Sequence, residues 1–137
     1  MKDLLASRLA PAAPYAVVLV RILFGIHLLY YSWQPVLEAT AGEGADFLRT
    51  LGIPFPELMA WVYVLTEFLG GISVLVGYKT RWMSLPLIIT FLVALFVVHG
   101  GDAYGDYFQA LQMLLLSVFF LLRGAGPLSV DQGMKAV

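Results

Sequence analysis

The stretch VLTEFLGGISVLVGYKTR, from Val64 to Arg81, decides the class of this fold. It holds one acidic residue, Glu67, with no other charge for nine positions before it or eleven after it. A helix on the surface of a soluble domain would carry charged residues along its whole outer face. Glu67 lies instead within the apolar run 58–77, and about 20 apolar residues cross roughly 30 Å of hydrocarbon. The pattern therefore predicts a membrane span.

The composition of the whole chain indicates the same environment. Of its 137 residues 61% are hydrophobic and 12% are charged, whereas soluble domains are about 45–50% apolar and about 25% charged. A chain this short has too little interior to bury such a surplus, so the rest faces the lipid bilayer. The net charge of −1 gives no reason to expect nucleic acid as a partner. The absence of cysteine excludes disulfides and thiol chemistry by this chain alone.

Four apolar stretches predict four transmembrane helices in a single domain, 1–137, with an all-α four-helix bundle as its fold. Their approximate bounds are 15–33, 58–77, 82–98 and 107–122. A signal peptide is a poor interpretation of the first stretch. Arg21 lies inside it and no small-residue cleavage site follows it.

The basic residues predict the orientation of these helices. Those near the predicted helix ends fall on one side, namely Lys2, Arg8, Lys79, Arg81, Arg123 and Lys135. By the positive-inside rule both termini are then cytoplasmic, and the chain crosses the membrane several times. The segment 34–56 becomes an outer loop. Its helical spacing of Phe47, Leu48 and Leu51 predicts a short interfacial helix, with a plain flexible loop as the alternative.

Two charges lie at membrane depth, where polar groups usually face the bundle interior and pair with something. At about 1.5 Å per residue, Arg21 lies roughly 10 Å and Glu67 roughly 16 Å from the cytoplasmic boundary. These depths predict an intramembrane ion pair between them. Such a pair could be a structural clasp or part of a ligand or proton site. The alternative is that each charge has its own separate partner.

Glycines near both charges predict close helix packing. Gly25 follows Arg21 on the first helix, and Gly70, Gly71 and Gly77 follow Glu67 on the second. Small residues let the backbones of membrane helices approach closely, so these positions are candidates for helix contacts.

Other polar residues point to a candidate pocket in the outer half of the bundle. Its predicted members are His27, Tyr63, His99, Gln109 and Gln112. A quinone-sized crevice needs an apolar wall with a few polar groups, and this region could supply both. Haem is disfavoured, because its axial ligands should lie nearly level and the two histidines do not.

Signals for a metal site or for catalysis are weak. His99 with Asp102 and Asp106 could form a small metal or proton-relay cluster, although the simpler interpretation is a helix emerging into water. No metal site is predicted. No phosphate loop, nucleophile–base arrangement or paired-histidine metal motif is present, so catalytic residues stay unknown.

Several short motifs give the chain a resemblance to a known family. They are Arg21 with Gly25, the GIPFP step before the second helix, E-x-x-G-G from Glu67, G-x-x-T-R from Gly77, and G-x-G-x-x-S-x-D from Gly124. In their order and spacing the chain resembles the DoxX family of small four-helix membrane proteins, over nearly its whole length. The resemblance implies a plasma membrane protein associated with respiratory or sulfur-linked redox complexes, in which relatives act as quinone-side or anchor subunits.

Two functions from different classes follow. The first is a quinone-interacting or anchoring subunit of a membrane oxidoreductase system, with other redox subunits, and in some cases further copies of the chain, as partners. The second is a non-enzymatic factor that binds a lipid-like ligand or assists membrane-protein assembly.

Overall fold

The computed structural model describes residues 4–101 and 103–135, without the side chains of residues 4–6, 105, 106 and 135. These residues form helices and no strand. The helices are α1 (Leu4–Leu9), α2 (Ala13–Leu37), α3 (Gly42–Thr50), α4 (Pro56–Val76), α5 (Thr80–Val93), α6 (Tyr104–Arg123) and α7 (Val130–Lys135). A π-helical turn, Ala94–Val98, extends α5. The predicted all-helical class is confirmed.

Among the described residues, three helices are long and apolar enough to cross a membrane. They are Ala13–Leu37, Pro56–Val76 and Thr80–Val98, the last including the π-turn. The part of α6 from Tyr107 to Arg123 is a shorter apolar helix. The first span is longer than the sequence predicted, because α2 continues through Pro35 to Leu37.

The helix contacts follow a simple order around the molecule. The most extensive contact joins α2 to α4, and α4 in turn packs against α5, which packs against α6. Their shared core contains Phe24, Leu28, Val74, Leu87 and Phe120. The rings of Phe24 and Phe120 stack with their centroids 5.7 Å apart, so side chains bridge α2 and α6 at this level.

Glycines allow α2 and α4 to approach closely. A Cβ atom on Gly25 would lie 3.1 Å from the carbonyl oxygen of Gly71, and a Cβ on Gly71 would lie 3.1 Å from that of Gly25. Gly70 faces the other neighbour, α5, where a Cβ would lie 2.9 Å from Leu87 Cδ1. Three of the four candidate packing glycines therefore lie at helix interfaces.

The short helix expected between the first two spans is present as α3. It buries Ala41, Ala45 and Leu48 against Ala60 of α4. Arg49 of α3 is hydrogen-bonded to Asp46 and to Glu57, which ties the exposed side of α3 to the start of α4. The helix thus packs on the bundle at the end opposite the C-terminal segment. We call this the α3 end, and the other the tail end.

The close approach at Gly71 gives a first prediction. Gly71→Ala places a methyl group 2.9 Å from Leu29 Cγ and 3.1 Å from a backbone oxygen. We expect a loss of about 1–3 kcal/mol in the free energy of unfolding, typical of overpacking. Unfolding by SDS titration in mixed micelles measures it. The matched control is Gly133→Ala in α7, where the added methyl meets open space. Equal stability of the two variants would contradict this packing.

Candidate functional site

The tail end is closed by a network around Arg21. This side chain is only 4% exposed. Its Nη1 donates to the carbonyl oxygens of Ala125 at 2.9 Å and Pro127 at 3.2 Å, and its Nη2 donates to that of Leu128 at 2.6 Å. The carbonyls are free to accept because residues 124–129 are not helical. Left-handed backbone at Gly124, Gly126 and Leu128 folds this segment back over the bundle.

The predicted ion pair between Arg21 and Glu67 is wrong. Both terminal nitrogens of Arg21 donate to backbone carbonyls instead. Among the described residues, the side-chain ion pairs join Arg49 to Asp46 and to Glu57. The depth argument assumed that only a carboxylate could satisfy a buried guanidinium. Backbone carbonyls can also accept hydrogen bonds from the several N–H donors of arginine.

The same network fixes the start of α5. Asp131 accepts hydrogen bonds from the backbone N–H of Lys79 at 2.8 Å and of Thr80 at 3.3 Å, which caps the helix from outside. Its own backbone N–H donates to the carbonyl of Gly77 at 2.9 Å. We call Arg21, residues 77–80 and residues 125–131 the tail clasp.

Gly77 belongs to the tail clasp and not to a helix-packing face, which corrects its predicted role. It ends α4 with φ of 70°, in the left-handed region. A Cβ there would lie 2.4 Å from Ser129 Cβ and 3.0 Å from Arg21 Nη1. Both the backbone angle and the contact with Ser129 therefore require glycine.

The other half of the molecule holds a cavity of about 470 Å³ between the α3 end and mid-bundle. Residues of α2, α3, α4, the α5 region and α6 line it. Its apolar wall consists of Leu28, Phe47, Phe91, Ala94, Ala110 and Met113. Its polar and aromatic groups are His27, Tyr31, Tyr63, Glu67, His99 and Gln109. We call this cavity the interior pocket.

Four of the five predicted pocket residues lie together in the interior pocket. Gln109 Nε2 lies 3.2 Å from His27 Nε2, so the two side chains bridge α6 and α2. Tyr63 points toward α3, where Gly44 leaves room for its hydroxyl: a Cβ on Gly44 would lie 2.1 Å from that oxygen. His99 follows the π-turn, and its backbone N–H donates to the carbonyl oxygen of Ala94 at 3.0 Å.

The fifth predicted residue, Gln112, lies elsewhere. Its side chain is exposed on α6 and does not line the interior pocket. Three residues advance an α-helix by about 300°, so Gln112 is rotated by roughly 60° from Gln109. The proposed cluster of His99 with Asp102 and Asp106 rests on acids that lie outside the described residues and side chains. In the part of the chain that the structure describes, no group of three or more His, Asp or Glu residues could hold a metal ion.

Glu67 is the pocket member that the sequence assigned to a different partner. It lies near the middle of α4 and is partly buried. No hydrogen bond or ion pair joins it to another described residue, so its carboxyl group is available to whatever occupies the interior pocket. The sequence signal for this role is the isolated position of Glu67 in an apolar run. Such a position is typical of a functional residue and equally of an ion pair.

The bundle is open along one side of the interior pocket. The backbones of α2 and α6 approach each other much less than those of the neighbouring pairs, so these helices leave a seam. Side chains bridge it at two levels: Phe24 stacks on Phe120, and His27 contacts Gln109. Gln109 is exposed, so the seam opens to the surroundings of the bundle beside the pocket.

Comparison with known proteins covers the first three spans. The DoxX family model matches residues 16–100. The chain belongs to the DoxX family. This DoxX protein is also 30% identical, over 111 residues, to the inner membrane protein YqjF of Escherichia coli (strain K12). That similarity covers 72% of this chain and 84% of YqjF. No solved structure matches it.

The match and the three apolar helices identify a multi-pass protein of the inner membrane. Residues 16–100 include Arg21 and five of the six polar and aromatic groups of the interior pocket, namely His27, Tyr31, Tyr63, Glu67 and His99. The residues matched by the family model end before Gln109 and before the segment whose carbonyl groups hold Arg21.

The hydrogen bonds of Arg21 give a second prediction for this DoxX protein. Arg21→Met removes three hydrogen bonds from a charged group and leaves their carbonyls without that donor. We expect a loss on the order of 3 kcal/mol in the free energy of unfolding. Arg8→Met, at an exposed cation of α1, is the control and should change it little.

A double-mutant cycle checks the correction directly. Because Arg21 and Glu67 share no partner, the effects of Arg21→Met and Glu67→Gln should add to within about 0.5 kcal/mol. A coupling above about 1 kcal/mol, read from SDS unfolding of the four proteins, would restore the ion pair.

Proposed function

We propose that this DoxX protein is a quinone-interacting or anchoring subunit of a membrane oxidoreductase system, and that the interior pocket holds the quinone ring. The single observation that carries the proposal is the composition of that pocket. An apolar wall surrounds a few convergent polar groups, and the volume of about 470 Å³ lies within the range of about 300–1,000 Å³ usual for small-molecule sites.

The polar groups suit the two ends of a quinone ring. Each ring carbonyl accepts hydrogen bonds, and Tyr63, His27 and Gln109 can donate them from α4, α2 and α6. The aromatic wall from Phe91 and Phe47 offers faces for the ring itself. Glu67 adds a carboxyl group beside the ring, and this group could exchange a proton with a bound quinol.

The seam between α2 and α6 supplies an entry that fits a lipid-soluble ligand. A quinone is dissolved in the bilayer and carries a long isoprenoid tail, so its site must open sideways toward lipid. The seam opens beside His27 and Gln109, next to the polar groups proposed to hold the ring. The tail would then stay between α2 and α6 while the ring occupies the interior pocket.

The quinone proposal is tested by purification in a mild detergent from membranes that contain quinone. We expect the protein to retain quinone, identified by mass spectrometry of an organic extract. Ala110→Phe fills the interior pocket from α6 and should abolish retention. Ala16→Phe makes the same change on an exposed position of α2 and should leave retention intact. Thermal unfolding confirms that both variants are folded.

Two outcomes would decide against the proposal. Wild-type protein without quinone would remove it outright. The extract could instead contain phospholipid and no quinone. If Ala110→Phe displaced that phospholipid, the result would favour the second function, a factor that binds a lipid-like ligand. Tyr63→Phe and Gln109→Leu refine a positive result, because each removes one hydrogen-bonding group and should weaken retention only in part.

The proposed topology places α6 as a fourth span, with both termini in the cytoplasm. Its support is the apolar character of Tyr107–Arg123 and the cluster of basic residues at the tail end. This arrangement puts the α3 end on the outer side of the membrane and the interior pocket in the outer half of the bundle.

The cysteine-free sequence makes this topology simple to test. Gly101 precedes α6 and Met134 follows it, so the two residues lie beyond opposite ends of this helix. A side chain added at Gly101 meets open space. In intact spheroplasts a membrane-impermeant maleimide should label Gly101→Cys and should label Met134→Cys only after permeabilisation. Equal labelling of the two variants in intact spheroplasts would contradict a crossing by α6.

A further inference from the structure

The tail end carries a second cavity, a groove of about 590 Å³ between the start of α5 and the end of α6. Three cations line it: Lys79, Arg81 and Arg123. One acid lines it as well, Asp131, whose carboxylate accepts hydrogen bonds from the backbone of Lys79 and Thr80. The side chains around the groove therefore carry a net charge of +2 (three positive, one negative). We call it the basic groove.

The three cations lack acidic partners among the described residues. The ion pairs of this part of the chain lie at the α3 end, around Arg49. Arg81 uses Nη2 to donate to the carbonyl of Leu122 at 3.1 Å, which leaves its other nitrogens free. The ammonium of Lys79 lies 5.4 Å from the centre of the Tyr78 ring, a contact that leaves its charge uncompensated. Their positive charge is thus available to an external anion.

The backbone around the basic groove shapes it for such a ligand. Gly124 has φ of 74°, and a Cβ there would lie 3.0 Å from Arg81 Nε, so the chain passes directly beneath this guanidinium. The tail clasp holds residues 125–131 in place behind it. The cations are therefore arranged around a fixed cavity and are not merely scattered over a surface.

Apolar side chains adjoin the basic groove on its membrane side. Trp82, which lines the groove, is 73% exposed, and tryptophan is typical of the interface between headgroups and hydrocarbon. Leu85 and Ile89 continue its face along α5, and both are exposed. Leu122 and Leu115 form a similar exposed face on α6. A ligand bound here would have its anionic part among cations and its apolar part along these two helices.

We infer that the basic groove binds the headgroup of an anionic phospholipid, with the acyl chains along α5 and α6. The phosphate would lie among Lys79, Arg81 and Arg123, since clustered cations at a membrane interface attract anionic headgroups. A soluble anion would gain nothing from Trp82 and the apolar faces beside it. This site lies at the opposite end of the bundle from the interior pocket, and the inference does not depend on the proposed quinone.

The test compares two lipids with identical acyl chains, anionic phosphatidylglycerol and zwitterionic phosphatidylcholine, on delipidated full-length protein in detergent. Native mass spectrometry measures binding, and thermal unfolding measures the stabilisation that each lipid gives. We expect phosphatidylglycerol to bind more tightly and to raise the unfolding temperature more. The double variant Lys79→Gln with Arg123→Gln should weaken phosphatidylglycerol binding on the order of 30-fold, at about 1 kcal/mol for each charge.

Arg8→Gln is the matched control, because it removes an exposed cation near the tail end that does not line the basic groove. It should leave phosphatidylglycerol binding within about twofold of wild type. Equal binding of the two lipids would overturn the inference, as would an equal loss in Arg8→Gln and in the double variant. Inorganic phosphate that stabilises the protein as much as phosphatidylglycerol would also overturn it, by showing a site for a free anion.

Discussion

Arg21 is held by three carbonyl oxygens of the segment that follows α6, and the arrangement of the whole tail end depends on these bonds. A guanidinium within a membrane span is unfavourable unless its donors are satisfied. The carbonyls of a non-helical segment need donors in their turn. The terminal nitrogens of Arg21 donate hydrogen bonds to these carbonyl oxygens. The segment thereby held also presents Asp131 to the start of α5, so one buried cation links α2, the end of α6 and the junction between α4 and α5.

The tail clasp also affects the other half of the bundle, because the bonds that hold Arg21 leave Glu67 without this cation as a partner. Because both terminal nitrogens of Arg21 are bonded at the tail end, no described cation pairs with Glu67, and it lies instead among His27, Tyr63 and Gln109. Polar groups at membrane depth that are not used by the fold mark functional positions. The two intramembrane charges thus divide the molecule into a structural end and an end with an accessible polar cavity.

Much of this arrangement could be predicted from the sequence. Apolar runs gave three spans and a shorter apolar helix because hydrocarbon thickness fixes their length. Helical periodicity and depth brought His27, Tyr63, His99 and Gln109 to one region. The failures come from contacts between parts of the chain that are distant in sequence and from the packing of a helix, which the local sequence pattern does not show. The partners of Arg21 are carbonyls, the room at Gly77 is required by Ser129 in a segment far along the chain, and the rotation of Gln112 depends on how α6 packs.

The bonds of Arg21 span 104 to 107 positions of the chain, which orders events during synthesis. When α2 enters the membrane, the carbonyl groups that will hold its arginine have not yet been made. Until residues 125–128 leave the ribosome, the guanidinium must find water or lipid headgroups near the bilayer surface, which its long side chain can reach. The nascent protein therefore carries this charge without its final partners until the segment that follows α6 has been made.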